Sequence, residues 1–274
     1  MQVTLLGTGD TTGTPTPNCG CDTCEEARER GVHRSRFSVH VYNERTDETL
    51  LVDVSPDFRH QFLTNDLTLP DAALITHIHF DHVDGLGNAY RLLSDLPVYA
   101  GAEVDPVTGE SVAETIRQKF DYLRAVTVHD VHPFETQRLC GLDVTFVPVD
   151  HPPLLCYGVV IEDPETGAKL SISGDTSFDM PAQSRDLLAN PDLLLADGIV
   201  PGHLSKHHPA GGDHHDDDGN PRTFGSKHMT REGAIALGTE LNAAITRLVH
   251  IAHYYPVEEA FEDPLAVDGE QYRL

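Results

Sequence analysis

The sequence has few positive charges and no long apolar segment. Its 274 residues include 19 Lys plus Arg against 44 Asp plus Glu, and only four of the basic residues are Lys. A nucleic-acid-binding protein normally carries a basic patch, so this balance argues against such a partner. No run of about 18 consecutive apolar residues exists, which argues against a membrane span. The N-terminus lacks the basic region of a signal peptide, so we expect a cytoplasmic protein.

The acidic residues are spread over the loops, as in Thr46-Asp47-Glu48 and Glu258-Glu259, and the formal net charge is −25 at pH 7. This pattern is typical of a surface adapted to high salt, and without salt the self-repulsion should destabilise the fold. At an ionic strength of about 1 M the Debye length is only about 3 Å, so in a salty cell the charge argument against a nucleic-acid partner is weaker. The sequence leaves the oligomeric state open, a homodimer included.

A dense group of metal-binding residue types follows an apolar run. Residues 74 to 84 read Leu-Ile-Thr-His-Ile-His-Phe-Asp-His-Val-Asp, which places His77, His79, Asp81 and His82 within six positions. Imidazoles and a carboxylate on a short turn after a buried strand bring nitrogen and oxygen donors to one point, as a pair of divalent ions requires. A polar loop that happens to hold histidines is the weaker explanation, so the motif predicts a metal site.

The cysteines fall into two groups. Cys19, Cys21 and Cys24 lie within six residues, whereas Cys140 and Cys156 stand alone in apolar, strand-like runs. The two isolated residues are most simply small core hydrophobes. Three thiols spaced C-x-C-x-x-C pair poorly with one another, and in a cytosolic chain such a cluster indicates a structural zinc that awaits a fourth ligand. The alternative, three reduced surface thiols, has no evident use.

The apolar pattern predicts an α/β fold in which two sheets lie between helix layers. The predicted strands are residues 3–6, 37–42, 49–53, 72–76, 97–100, 125–129, 143–149, 156–162, 168–173, 192–196 and 247–251. The predicted helices are residues 24–30, 56–63, 83–93, 112–122, 181–188 and 231–241.

Further donor residues follow predicted strands. His151, Asp175 and the pair His250 and His253 each come directly after one. A loop at the end of a strand can aim a side chain inward while the sheet keeps it rigid. Any one of these residues alone is more simply a satisfied or exposed polar group. Together with the histidine motif they supply enough donors for two metal ions.

The order of these residues resembles the metallo-β-lactamase superfamily. The resemblance rests on His77-x-His79-x-Asp81-His82, then His151, Asp175 and a late histidine. It implies a four-layer αββα sandwich that covers residues 1–274 as a single domain. The opening Gly7-Thr8-Gly9 turn, the cysteine cluster and the closing H-x-x-H pair are similar to one branch, the phosphoribosyl cyclic-phosphate phosphodiesterases of phosphonate degradation.

The resemblance implies a role for each residue. Two divalent ions, Zn or Mn, would be held by His77, His79 and His151 for one ion and by Asp81, His82 and His250 for the other, with Asp175 bridging. A separate structural zinc would be held by Cys19, Cys21, Cys24 and His253. The assignment of His250 and His253 to the two sites stays open. Asp53 would orient metal ligands.

The implied activity is hydrolysis of a small, cyclic phosphodiester by water that two metal ions activate. Asp81 and His228 would be the catalytic residues. His228 would face the substrate and protonate the departing alkoxide, because an unperturbed imidazole titrates near neutrality. The alternative reading of His228 is a surface histidine that precedes a helix.

Other functions remain open. A protein of pyrroloquinoline-quinone assembly also combines this fold with a C-x-C-x-x-C cluster. A transfer-RNA 3′-processing nuclease shares the metal cluster, but the chain shows no basic arm. A β-lactamase or thioester hydrolase usually lacks the cysteine cluster.

One region, about residues 202–227, departs from the family pattern. It is acidic and rich in histidine, without hydrophobic periodicity: His203, His207, His208, His214 and His215 beside Asp213, Asp216, Asp217 and Asp218. We expect a solvated insertion loop. A lid or an adventitious metal-binding tether is the alternative, since the region directly precedes His228.

Overall fold

The computed structural model describes residues 1–205 and 214–274. Its strands are β1 (Gln2–Gly7), β2 (Ser38–Asn43), β3 (Glu48–Val52), β4 (Ala72–Ile75), β5 (Leu96–Gly101), β6 (Val126–Val131), β7 (Thr136–Leu139), β8 (Leu142–Val149), β9 (Cys156–Glu162), β10 (Lys169–Ile172), β11 (Leu193–Asp197), β12 (Thr223–Phe224), β13 (His228–Met229), β14 (Ile245–Val249) and β15 (Gln271–Arg273). Its helices are α1 (Asp22–Arg30), α2 (Phe58–Asn65), α3 (Phe80–Val83), α4 (Leu86–Ala89), α5 (Val112–Lys119), α6 (Ala182–Leu188), α7 (Gly202–Ser205) and α8 (Arg231–Glu240).

The strands form two mixed sheets and one short ribbon. The first sheet has the order β15-β1-β2-β3-β4-β5-β6, and β3 to β6 run parallel to one another. The second sheet has the order β14-β11-β10-β9-β8-β7, in which β10, β11 and β14 are parallel. The carboxyl ends of the parallel strands therefore meet at one edge of each sheet.

Helices cover the outer face of each sheet. Helix α5 packs on β5 and β6 and α2 on β1, while α6 packs on β8 and β9 and α8 on β11 and β14. Side chains alternate across a strand. Leu193 and Leu195 accordingly share a core with Leu5 of the first sheet, whereas Leu194 packs in a second core that contains Leu237 of α8. The predicted four-layer αββα sandwich is confirmed.

The predicted helix over residues 83–93 is wrong. The chain forms two single-turn helices, α3 and α4, that are interrupted at Gly85. The Gly85 amide donates to the carbonyl of Val54, and a Cβ at Gly85 would lie 2.0 Å from the carbonyl oxygen of Ser55. Because the backbone at Gly85 packs directly against the loop after β3, a continuous helix cannot form. The apolar periodicity does not reveal such a contact between distant segments.

The described parts of the region of residues 202–227 include short elements of secondary structure. Residues 206–213, with His207, His208 and Asp213, lie outside the described residues. Helix α7 begins the region, and β12 pairs with β13 in antiparallel register, Phe224 opposite His228. His228 therefore lies on a two-residue strand that directly precedes α8.

Two strands that the sequence did not predict extend the sheets. Strand β15 adds to β1, and the amino group of Met1 donates to the carbonyl of Leu274 at 2.8 Å. Strand β7 pairs with β8 at the edge of the second sheet. Among the described residues, no helix is long and apolar enough to cross a membrane.

Candidate metal centre

Polar side chains follow the carboxyl ends of strands from both sheets. In the first sheet Asp53 follows β3 and His77 follows β4. In the second sheet the equivalent positions after or at the ends of β8, β10, β11 and β14 are His151, Asp175, Asp197 and His250. The sheet edges thus bring together residues that are far apart in the chain.

The first donor group joins three histidines. The Nε2 atom of His77 lies 2.9 Å from Nδ1 of His79, and Nε2 of His151 lies 3.2 Å from the same Nδ1. The carboxylate oxygen Oδ2 of Asp175 is 3.7 Å from Nε2 of His77. These four ligand atoms all lie within 4.8 Å of one another. The structure therefore brings together the set that the sequence resemblance implies for one ion.

The second donor group is made of Asp81, His82 and His250. The Oδ2 atom of Asp81 lies 3.7 Å from Nε2 of His82 and 3.6 Å from Nε2 of His250. The Oδ2 atom of Asp175 lies 3.4 Å from the first of these nitrogens and 3.3 Å from the second. One oxygen of Asp175 thus faces both groups, which is the position of a bridging ligand.

Two buried nitrogens that make no hydrogen bond support the fit of this donor set to metal ions. In the described part of the chain, Nε2 of His82 and Nε2 of His250 are buried and make no hydrogen bond. Nearly all buried polar atoms in proteins have a hydrogen-bond partner, so two that point into one cluster need another explanation. Imidazole nitrogens with carboxylate oxygens suit Zn²⁺ or Mn²⁺.

The second group holds histidines of high proton affinity. Burial alone would lower the pKa of His250, but the charge of Asp175 and contact with Asp81 raise it to about 9. Burial opposes protonation of His82 too, yet Asp175 and Asp53 hold its pKa well above the ordinary value. Without metal, protons on these rings supply the positive charge that the buried carboxylates require.

The first group has the opposite character. Burial lowers the pKa of His77 well below its ordinary value and that of His151 to about 4. These imidazoles are neutral near pH 7, the form in which histidine binds a metal. Nδ1 of His151 lies 2.9 Å from the carbonyl oxygen of Lys227, a contact that fixes the ring.

Asp53 contacts one histidine of the second donor group directly and one of the first group through Thr76; the family resemblance implies a ligand-orienting residue at this position. Its carboxylate lies 2.7 Å from Nδ1 of His82 and accepts hydrogen bonds from the amide and the hydroxyl of Thr76. The Thr76 hydroxyl is in turn 3.0 Å from Nδ1 of His77. One fully buried carboxylate therefore orients a histidine of each group.

Sequence reasoning missed Asp197, which orients His228. Its Oδ2 atom lies 2.8 Å from Nδ1 of His228, and its Oδ1 atom is 3.9 Å from Nδ1 of His250. The His228 ring stacks on the His250 ring with an interplanar angle of 10°. A ring nitrogen of His228 also lies within 4.8 Å of ligand atoms of Asp175 and His250. The available signal was an aspartate at a strand end, as at Asp53.

The cysteine cluster forms a separate site with His253. The Nδ1 atom of His253 lies 3.4 Å from Sγ of Cys19, 3.4 Å from Sγ of Cys21 and 3.5 Å from Sγ of Cys24. Three thiols and one imidazole make a complete set for a tetrahedral structural zinc. The structure places His253 here and His250 in the other centre, an assignment that the sequence left open.

Comparison with sequence families and curated proteins agrees with this geometry. A family model described as a beta-lactamase superfamily domain matches residues 48–251. A protein of Porphyromonas gingivalis named octanoyltransferase is 28% identical over 271 residues, 94% of this chain. The chain spans about half the length of that relative, 47%. Coenzyme PQQ synthesis protein B of Methylobacterium radiotolerans is 27% identical over 305 residues, 100% of this chain and 94% of the relative.

Solved structures share the fold along the whole chain. The structure of a new diphosphatase from the PhnP family has a TM-score of 0.76 and 26% identity, and the match covers 99% of this chain and 96% of that one. The Zn²⁺-bound PqqB from Methylobacterium extorquens has a TM-score of 0.75 and 23% identity, with 100% of both chains covered.

Proposed function

Because this chain belongs to the beta-lactamase superfamily, we propose that it is a metal-dependent hydrolase that cleaves a small phosphodiester, with a cyclic phosphodiester as the preferred substrate. The observation that carries the proposal is the position of Asp175, whose Oδ2 atom lies between a group of three histidines and the Asp81–His82–His250 group. That arrangement suits two divalent ions, which when bound lower the pKa of a water and neutralise charge on phosphoryl oxygens.

The charge of the centre supports an anionic substrate. Among the described residues, Asp81 and Asp175 are the ones that offer carboxylate oxygens to the two donor groups. Two divalent ions held there would carry more positive charge than these two ligand carboxylates, which would favour an anionic phosphoryl group. Two further buried carboxylates, Asp53 and Asp197, contact His82 and His228 from behind and offer no ligand oxygen to the two donor groups.

His228 has the placement of a proton donor. Asp197 accepts from its Nδ1, which leaves Nε2 as the ring nitrogen that can act on the substrate. Its side chain is 14% exposed, whereas that of Asp197 is 1% exposed, so the pair runs from the buried sheet edge toward solvent. In the proposed reaction His228 protonates the alkoxide that leaves phosphorus, and Asp197 holds the ring in position.

Lys227 places a positive charge beside the same centre. Burial lowers the pKa of His79; the charges of Asp175 and Asp81 oppose this effect, and those of His82 and Lys227 add to it. No ion pair found among the described residues involves Lys227, although the chain is rich in acid. The ammonium group therefore supports binding of a substrate phosphate.

The relatives support this proposal at different levels. The 26% identical neighbour is described as a diphosphatase from the PhnP family, and its match spans nearly the whole of both chains. The likeness to coenzyme PQQ synthesis protein B favours a second candidate, a role in cofactor assembly. We prefer hydrolysis because both donor groups are complete and the Asp197–His228 pair adjoins them.

We propose a small-molecule substrate in place of RNA. A nuclease for transfer RNA needs basic surface to hold the polyanion. This chain has a formal net charge of −25. We also propose that the Cys19, Cys21, Cys24 and His253 site holds a structural zinc that is separate from the hydrolytic centre.

The test is turnover of bis-p-nitrophenyl phosphate by protein loaded with Mn²⁺ or Zn²⁺, beside an organic diphosphate and a β-lactam. We expect metal-dependent release of nitrophenol, and Asp175→Asn should lower its rate at least about 100-fold. Glu165→Gln on a surface turn serves as the matched control. Cleavage of the diphosphate alone would overturn the phosphodiesterase assignment. Lack of any phosphorus chemistry at full metal loading would favour the cofactor-assembly candidate.

A further inference from the structure

A threonine from the opening loop contacts the second donor group. The hydroxyl of Thr11 donates a hydrogen bond to Oδ2 of Asp81 at 2.6 Å. This is the oxygen that faces His82 and His250, at 3.7 and 3.6 Å. Asp81 is 2% exposed, whereas Thr11 is exposed, so the hydroxyl approaches the carboxylate from the solvent side. Neither the motifs nor the family resemblance gave Thr11 a role.

The loop that carries Thr11 has a defined conformation. The Asp10 carboxylate accepts hydrogen bonds from the amide and hydroxyl of Thr12 and from the amide of Gly13. Gly13 has φ +70°, a conformation that glycine adopts without strain. Arg36 donates through Nε to the carbonyl of Thr11 at 3.2 Å. These hydrogen bonds therefore fix the conformation of the loop that positions the Thr11 hydroxyl.

The same loop is joined to the strand end that carries His250. The amide of Asp10 donates to the carbonyl of Ile251, and the amide of Ile251 donates to the carbonyl of Thr8. One backbone pairing thus links the segments that carry Thr11 and His250, and both side chains lie near Oδ2 of Asp81. A displacement of either segment changes the distance between Asp81 and its partner ligand.

We infer that Thr11 is a positioning residue for the hydrolytic centre: its hydroxyl orients the Asp81 carboxylate as a ligand of the second metal ion. The inference rests on the proposed function only in taking Asp81 as a metal ligand. A hydrogen bond of this kind fixes which lone pair of the carboxylate points at the metal. Removal of such outer partners typically lowers metal affinity or activity by about 10- to 100-fold.

The experiment measures metal binding directly, without substrate. Zn²⁺ alone is titrated against a chromogenic chelator for the wild type, Thr11→Val and Thr11→Ser. We expect Thr11→Val, which keeps the shape and loses the donor, to weaken the second hydrolytic-site ion by about 10- to 100-fold. Thr11→Ser keeps the donor and should remain close to wild type. Thr12→Val is the matched control, because that hydroxyl bonds Asp10 and not Asp81.

The outcomes separate this inference from the proposed function. Wild-type zinc affinity in Thr11→Val would overturn it, and so would equal losses in Thr11→Val and Thr12→Val, which would show a general loop effect. A loss of kcat/KM with unchanged zinc affinity would place Thr11 against the substrate and would also overturn it. If zinc affinity falls but the wild type hydrolyses no phosphodiester, the inference stands and the proposed function fails.

Discussion

At the residue scale, the two donor groups differ in the protons that they hold before metal binds. His151 and His77 are kept neutral by burial, whereas neighbouring carboxylates favour the protonated forms of His82 and His250. A metal ion entering the second group must displace protons, and one entering the first group need not. The two ions should therefore respond differently to pH.

We predict that metal binding to the second group strengthens as pH rises to about 9. The pKa of His250 is raised to about 9, so below that pH the metal-free ring is protonated and competes with the ion. Calorimetric Zn²⁺ titrations in buffers of different ionisation enthalpy measure the proton release, and His250→Gln should release about one proton fewer than wild type. Equal release by both proteins would contradict the prediction.

A second residue-scale prediction concerns His228. His228→Ala should lower kcat/KM by about 100-fold or more on a phosphodiester with an alkyl leaving group, because general acid catalysis contributes about that much. On a nitrophenyl ester, whose leaving group needs no proton, the loss should be small. Asp197→Asn should show the same selectivity in weaker form, since it acts through the ring. Equal losses on both substrates would remove the proton-donor role.

At the element scale, the segment after β14 serves two sites within four residues. His250 turns into the hydrolytic centre, whereas His253 meets the cysteines of the opening loop and α1. His250 has φ +58°, an uncommon conformation outside glycine, and it redirects the chain directly after the strand. The irregular segment after β14 thus directs His250 and His253, three positions apart, into separate sites.

We predict that the two sites fill independently. Cys21→Ser should reduce the metal content from about three ions per chain to about two, with phosphodiesterase activity at saturating Mn²⁺ largely kept, because a structural site stabilises the fold and does not touch the substrate. Elemental analysis of purified protein measures the count. Cys140→Ser is the control, since Cys140 is remote from the cluster in the described residues. Simultaneous loss of all metal would show that the sites depend on each other.

At the scale of the whole molecule, acidic residues outnumber basic residues by a wide margin. The few arginines are used in specific contacts: Arg247 pairs with Glu270, and buried Arg34 donates to the carbonyl of Ala266. The basic residues are too few to pair with all of the carboxylates, since the formal net charge is −25. Their mutual repulsion opposes the compact state unless salt screens it.

We predict that the melting temperature rises with KCl. Between about 0.01 and 1 M the Debye length falls from about 30 to about 3 Å, so repulsion across the surface is removed over this range. Differential scanning calorimetry of the metal-loaded protein measures the shift. The same titration near the isoelectric point of about 4.8, where net charge is small, should show a much smaller shift. A melting temperature that is unchanged or higher without salt would contradict the prediction.

The sequence alone determined the features that lie close together along the chain. His77, His79, Asp81 and His82 fall within six residues, and so do the three clustered cysteines. Both groups can therefore be recognised as metal-binding sets before the fold is known. Strand and helix periodicity also predicted the αββα layers. The grouping of these residues with His151, Asp175 and a late histidine followed from donors after predicted strands and from the family resemblance, and the structure brings the ligands together.

Only the tertiary structure decided what depends on long-range placement. Asp197 and His228 are 31 positions apart, and Thr11 and Asp81 are 70 apart, so their contacts exist only once strand order and register are set. The break at Gly85 likewise follows from contact with the loop after β3. Local patterns are set by short-range hydrogen bonding and burial, whereas the partner across a sheet edge is chosen by how the whole chain packs.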